Sequence, residues 1–161
     1  MGPYTRKSRS LKLEVLPADV RQALQEHQDE YNLGPILDDY LECIETVSVK
    51  RKKGLFKGPG DQQVTSYAIL TPTWLVYAAK GDSGFVSVLS VPLVEAVAED
   101  YAQSPYYAKI QDTGFFITGV FTGRVGMHGN ERITIFLPLG EERDAKYFGE
   151  ALMYGISSSR R

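Results

Sequence analysis

The densest group of chemically competent side chains lies at residues 50–57. There Lys50, Arg51, Lys52, Lys53 and Lys57 place five cations in eight positions, ahead of a Gly58-Pro59-Gly60 turn. Such a group suits phosphates or an anionic membrane, where each cation near the surface contributes about 1 kcal/mol. All five together give about 5 kcal/mol, a weak attachment that salt screens. In an extended strand Lys50 and Lys52 point to one face and Arg51 and Lys53 to the other, so they do not converge on one headgroup. The plainer reading is the solvated end of a hairpin.

Other strings invite chemistry and fall short of it. Gly81-Asp82-Ser83-Gly84 is a string found around nucleophilic serines, but such a serine needs a histidine base, a carboxylate to orient it and an oxyanion hole. The sequence holds only His27 and His128, neither in a matching context, and Phe85 follows where glycine would be needed. Asp-Ser-Gly between two strands is ordinary turn chemistry. Gly123, Gly126 and Gly129 lack the Gly-Lys-Ser/Thr ending of a phosphate loop and lie between two strands, not before a helix. They read as a long hairpin loop in which Arg124 and His128 are polar candidates for a partner contact.

Asp29, Glu30, Asp38, Asp39 and Glu42 form an acidic group without the fixed spacing of a calcium loop. His27, on an apolar helical stripe, reads as a packed histidine, and Cys43 as a small buried hydrophobe. The expectation is a noncatalytic chain with no metal and no cofactor. The aromatics point elsewhere: Tyr101, Tyr106 and Tyr107 lie close in sequence to Phe115 and Phe116. Tyrosine is enriched where a surface is half buried, so the three are candidate contacts for a protein partner.

The chain that positions these residues has 161 of them, 43% hydrophobic and 24% charged, in the range of one globular domain. Its formal net charge of −2 is unevenly spread. From Glu14 to Glu45 there are nine acids against Arg21 alone, and residues 50–57 then carry cations only. A nearly neutral chain has no general attraction for nucleic acid, so no specific nucleic-acid partner is expected. A single cysteine excludes an intrachain disulfide, and no apolar run approaches the roughly 20 residues of a membrane helix. A cytoplasmic protein is the expectation.

Residues 1–12 read as a short, basic, mobile tail, and 13–42 as an acidic helical segment. Pro17 suits a first helical position, and Val20, Leu24, His27 and Tyr31 recur on one face until Gly34-Pro35 ends the pattern. Beyond Ile44 the residues become β-branched and aromatic in short runs closed by turns. Strands are predicted at 46–53, 64–71, 74–79, 85–91, 94–101, 115–122 and 133–139, with a single helical turn at 106–110. A helix at 141–156 carries acids in its first turn and an apolar stripe of Ala145, Phe148, Leu152 and Ile156.

Three stretches carry a family resemblance. Thr71-Pro-Thr-Trp-Leu-Val-Tyr77, Ser90-Val-Pro-Leu-Val-Glu-Ala-Val97 and the Ala145–Leu152 helix resemble segments of bacterial pleckstrin-homology-like and GRAM-type domains. The resemblance covers roughly residues 43–156. Trp74 stands where that pattern usually has arginine, and Ala96 where it often has aspartate. It implies a mainly β (α+β) fold: a seven-stranded, partly open barrel capped by a C-terminal helix, here preceded by an N-terminal helix, with the barrel domain at 43–157.

For lipid-binding members the resemblance implies basic residues on the second strand as well, and the matching positions hold Gln63, Thr65 and Tyr67, with both cations missing. For other members it implies a peptide between the fifth strand and the C-terminal helix. The favoured expectation is therefore an interaction module that binds a protein or peptide, or self-associates as a homo-oligomer, through a strand edge or the helix face. The alternative is weak contact with an anionic membrane through Lys50–Lys57.

Overall fold

The computed structural model describes residues 2–51, 60–123 and 131–161. Within them the chain is mostly β. A six-stranded antiparallel sheet has the order β1-β2-β3-β4-β5-β8, with β1 Tyr4–Ser10, β2 Glu42–Lys50, β3 Gln63–Leu70, β4 Trp74–Lys80, β5 Val86–Pro92 and β8 Thr122–Gly123. A three-stranded sheet has the order β6-β7-β9, with β6 Val97–Asp100, β7 Gly114–Val120 and β9 Arg132–Pro138. Helix α1, Ala18–Glu30, precedes most of the strands and α2, Arg143–Ser159, ends the chain.

The mainly β architecture with a helix near each end is as expected, with nine strands instead of seven. The two additions are β1 and the two-residue β8, and the sheets do not close into one ladder. Strand alternation gives the large sheet two different faces. Ile44, Ala68, Leu70, Leu75 and Val91 point inward, toward Ile117 and Leu137 of the small sheet and the stripe Ala145, Phe148, Leu152 and Ile156 of α2. This is the main core, and α2 lies along it as the sequence stripe requires.

The alternate residues Cys43, Tyr67, Ile69, Val76 and Ala78 face the other way and are covered by Leu16, Val20 and Leu24 of the α1 region and by Ile36. Helix α1 therefore covers the outer face of the large sheet. That second layer explains why β3 is buried on both faces over Ser66–Leu70, as sheets covered on both sides are.

Residues 4–10, expected as a mobile tail, are a seven-residue strand paired with β2 from Tyr4↔Lys50 to Ser10↔Ile44. Polar groups hold it. Ser8 Oγ bonds Thr46 Oγ1 at 2.6 Å and accepts the Gly140 N–H at 2.8 Å. The Ser8 and Ser10 N–H groups donate to the carboxylates of Glu142 and Asp144 at 3.0 and 2.9 Å. The acids at the start of α2 thus cover the edge of β1 as well as favouring the helix dipole. Arg6 completes the join: its guanidinium donates twice to Asp112, at 2.7 and 2.8 Å, and also to Ser48 Oγ.

Two other boundaries moved. The fifth expected strand, 94–101, is β6 alone, because a 3-10 turn at Leu93–Glu95 drives Leu93 into the core. Strand β2 begins at Glu42, earlier than expected, because Cys43 and Ile44 each have a buried layer to enter.

Candidate functional site

Of the basic stretch, Lys50 ends β2 and Arg51 follows it, both half-buried. Lys52, Lys53 and Lys57 lie outside the described residues, as do Arg124 and His128. The second-strand positions are placed on β3, where Tyr67 is buried beneath α1. Burial, and then Glu45 nearby, push its phenol upward. The aromatic that matched a lipid-site pattern is thus part of the outer core.

Gly81–Gly84 makes the β4–β5 turn. The Gly84 N–H donates to Gly81 O at 3.1 Å, Gly84 adopts φ +81°, and Ser83 Oγ accepts from the Phe85 N–H. Serine and histidine do meet elsewhere: His27 Nε2 lies 2.8 Å from Ser90 Oγ. Ser90 is fully buried, so this pair pins α1 to β5 and presents no hydroxyl to a substrate. Burial lowers the His27 pKa, against a smaller opposing effect of Glu30. Burial likewise pushes the Cys43 thiol up to about 12, with Glu45 and Glu42 adding to it. Among the described residues no group of three or more His, Cys, Asp or Glu is placed to hold a metal. Among them, too, no helix is long and apolar enough to cross a membrane.

The tyrosines come together on Phe116 as expected, with Phe136 in the place of Phe115. On β7, Phe116 faces outward and Phe115 inward toward α2. Tyr101 packs on Phe116 and Phe136 with ring centroids 5.1 and 5.4 Å apart, and Tyr106 and Tyr107 extend the cluster. Such tilted and edge-on pairs are the favourable aromatic geometries. Tyr101 is buried and donates its hydroxyl to Ile110 O at 2.6 Å, which fixes the 101–110 segment across the small sheet. It is a packing residue and not a surface contact. Tyr106 and Tyr107 remain exposed, at 61% and 36%.

The opposite face of the small sheet opens beside α2. A groove of about 670 Å³ runs between the helix and the junction of β6 and β7. Phe115, Ala145, Gly149 and Met153 supply its apolar lining, and Asp100, Glu141 and Glu150 stand among the charged residues along it. Gly149 is needed for its shape: a Cβ there would stand 2.9 Å from the Phe115 ring. Hydrogen at this position lets the Phe115 ring lie against the helix.

From Ala145 to Met153 the helix rises about 12 Å, which matches about four residues of extended chain. Strand β6, one of the two outer strands of the small sheet, is itself four residues long. Its start is fixed by Arg160, which donates to Val94 O and Ala96 O, and by Arg132, which donates to Glu95 O. At the other end the groove continues past Tyr107, Asp112, Thr113 and Glu141 into a smaller hollow of about 270 Å³ that also includes Arg6 and Arg51.

Of the residues expected at a site, the structure brings Tyr107 and Arg51 to this groove and its extension, and places Tyr106 on the far face of the small sheet. Of the lining residues, the sequence marks Phe115 as an aromatic near the tyrosines, and Gly149 and Met153 as helix alone. The further signal in the sequence is Met153, an apolar residue off the Ala145, Phe148, Leu152 and Ile156 stripe, and the structure leaves it 44% exposed. The fold and groove define a mainly β architecture, flanked by helices, with a cleft beside the C-terminal helix. Compared with known family models, curated proteins and solved structures, the chain matches none.

Proposed function

We propose that this chain is a noncatalytic interaction module that receives a short polypeptide segment, from another protein or from a second copy of itself, between α2 and β6. The observation that carries the reading is the groove: an apolar floor of Phe115, Gly149 and Met153 that meets the edge strand β6 at its end, Asp100. An incoming strand pairs its backbone with such an edge and seats alternate side chains on the floor. The pleckstrin-homology-like resemblance of the sequence implies the same place, and α2 is held there rigidly by the main core.

Panning a library of random peptides against the full-length chain tests it. Bound peptides are expected to lose about tenfold in affinity for Met153→Asn, an exposed substitution that removes one apolar anchor worth about 1.5 kcal/mol or more. No enriched peptide, together with a strictly monomeric chain by light scattering, overturns the reading. So does an enriched set indifferent to Met153.

A further inference from the structure

We infer, building on the peptide-groove reading, that the segment taken by this groove is basic: an extended chain with a lysine or arginine beside an apolar anchor. The charges lining the groove are Asp100, Asp112, Glu141, Glu150 and Lys146. Asp112 is already occupied by Arg6 through two hydrogen bonds. Among the described residues, three carboxylates face Lys146 in the groove and Arg51 in the hollow beyond it, so the cleft keeps a negative surplus that favours a cation on whatever enters it.

A seat for such a cation is visible where the groove meets the smaller hollow. Tyr107 and Glu141 line both, so a carboxylate and a half-exposed aromatic border the same passage. The chain shows next door how this chemistry is used. The Arg6 guanidinium bonds Asp112 while lying 4.8 Å from the Tyr4 ring centroid and 5.3 Å from that of Phe136. Carboxylate plus ring face is a strong arrangement for arginine, which stacks and forms paired hydrogen bonds at once. An arginine of the partner at Glu141 and Tyr107 repeats it one step along the groove. An apolar residue four positions on shares its side of the strand, lies about 13 Å further along, and reaches toward Phe115 and Met153.

The test uses the peptides selected on the full-length chain. The expected enrichment is in sequences with Lys or Arg four positions from an apolar residue. Their affinity falls about tenfold for the double variant Glu141→Lys, Glu150→Lys, whose melting temperature stays near that of the parent, and falls with added salt. Tyr107→Ala weakens the arginine-bearing peptides more than their lysine versions. Enriched peptides that are neutral or acidic yet sensitive to Met153→Asn overturn the basic preference and keep the groove. Basic peptides indifferent to both the charge reversal and Met153→Asn overturn the two together, and assign the binding to another acidic surface.

Discussion

Replacing Arg6 with methionine tests whether the amino-terminal strand is an integral part of this fold. The Arg6 and Asp112 side chains are only 8% and 12% exposed, and they join β1 to the segment that leads into β7. Methionine keeps much of the arginine stem's volume and its contact with Phe136, but strands a carboxylate. Removing one partner of a buried pair costs about 3–5 kcal/mol because the other charge stays buried and uncompensated. Asp112 keeps one donor, the Thr113 N–H at 2.8 Å, so the lower end, about 3 kcal/mol, is expected. For a chain of this length that corresponds to a fall of about 6–12 °C in melting temperature.

Urea unfolding followed by circular dichroism measures the loss directly, at an unchanged m value if the variant still folds as a unit. Asp112→Leu on its own strands the guanidinium. The double variant, which buries no orphan charge, should lose less than the sum of the two singles by about 2 kcal/mol. A loss below about 1 kcal/mol for Arg6→Met, the level of an exposed ion pair, would refute the reasoning. Residues 4–10 would then behave as the loose basic tail that their composition suggests.

Three further outcomes follow from the two cores. His27 is buried against Ser90 with its pKa lowered from 6.5, so the unfolded chain binds the proton more readily. Stability should therefore fall as pH drops below about 6.5, and the slope should flatten in His27→Asn, read from melting temperatures across that window. Cys43, buried and with its thiol pushed up to about 12, should react with a thiol reagent at neutral pH only as fast as the chain unfolds. Rapid labelling of the folded chain would contradict the cover that α1 provides. Leu152→Ala, at a fully buried position of α2, should cost about 2–5 kcal/mol in denaturant unfolding; a smaller loss would mean that the helix is not docked on the main core.

Periodicity determined most of what the sequence by itself could settle. Val20, Leu24 and His27 on α1, and Ala145, Phe148, Leu152 and Ile156 on α2, are buried as their spacing requires. Seven strands lie close to their expected places, because alternation, β-branched residues and Gly or Pro turns are local signals. Strand β1 was invisible for the same reason. Its inward residues are Tyr4, Arg6 and Ser8, whose partners Asp112, Thr46 and Gly140 lie far along the chain. Only the folded chain shows that these polar groups satisfy one another. The groove has the same origin: Phe115, Gly149 and Met153 come from separate elements, and nothing local marks them as neighbours. Local spacing decided which residues form each element and which face is buried. The tertiary structure alone decided that a basic stretch of chain is the first strand of the large sheet, at its edge, and that strand and helix leave a cleft between them, because both depend on contacts between residues remote in sequence.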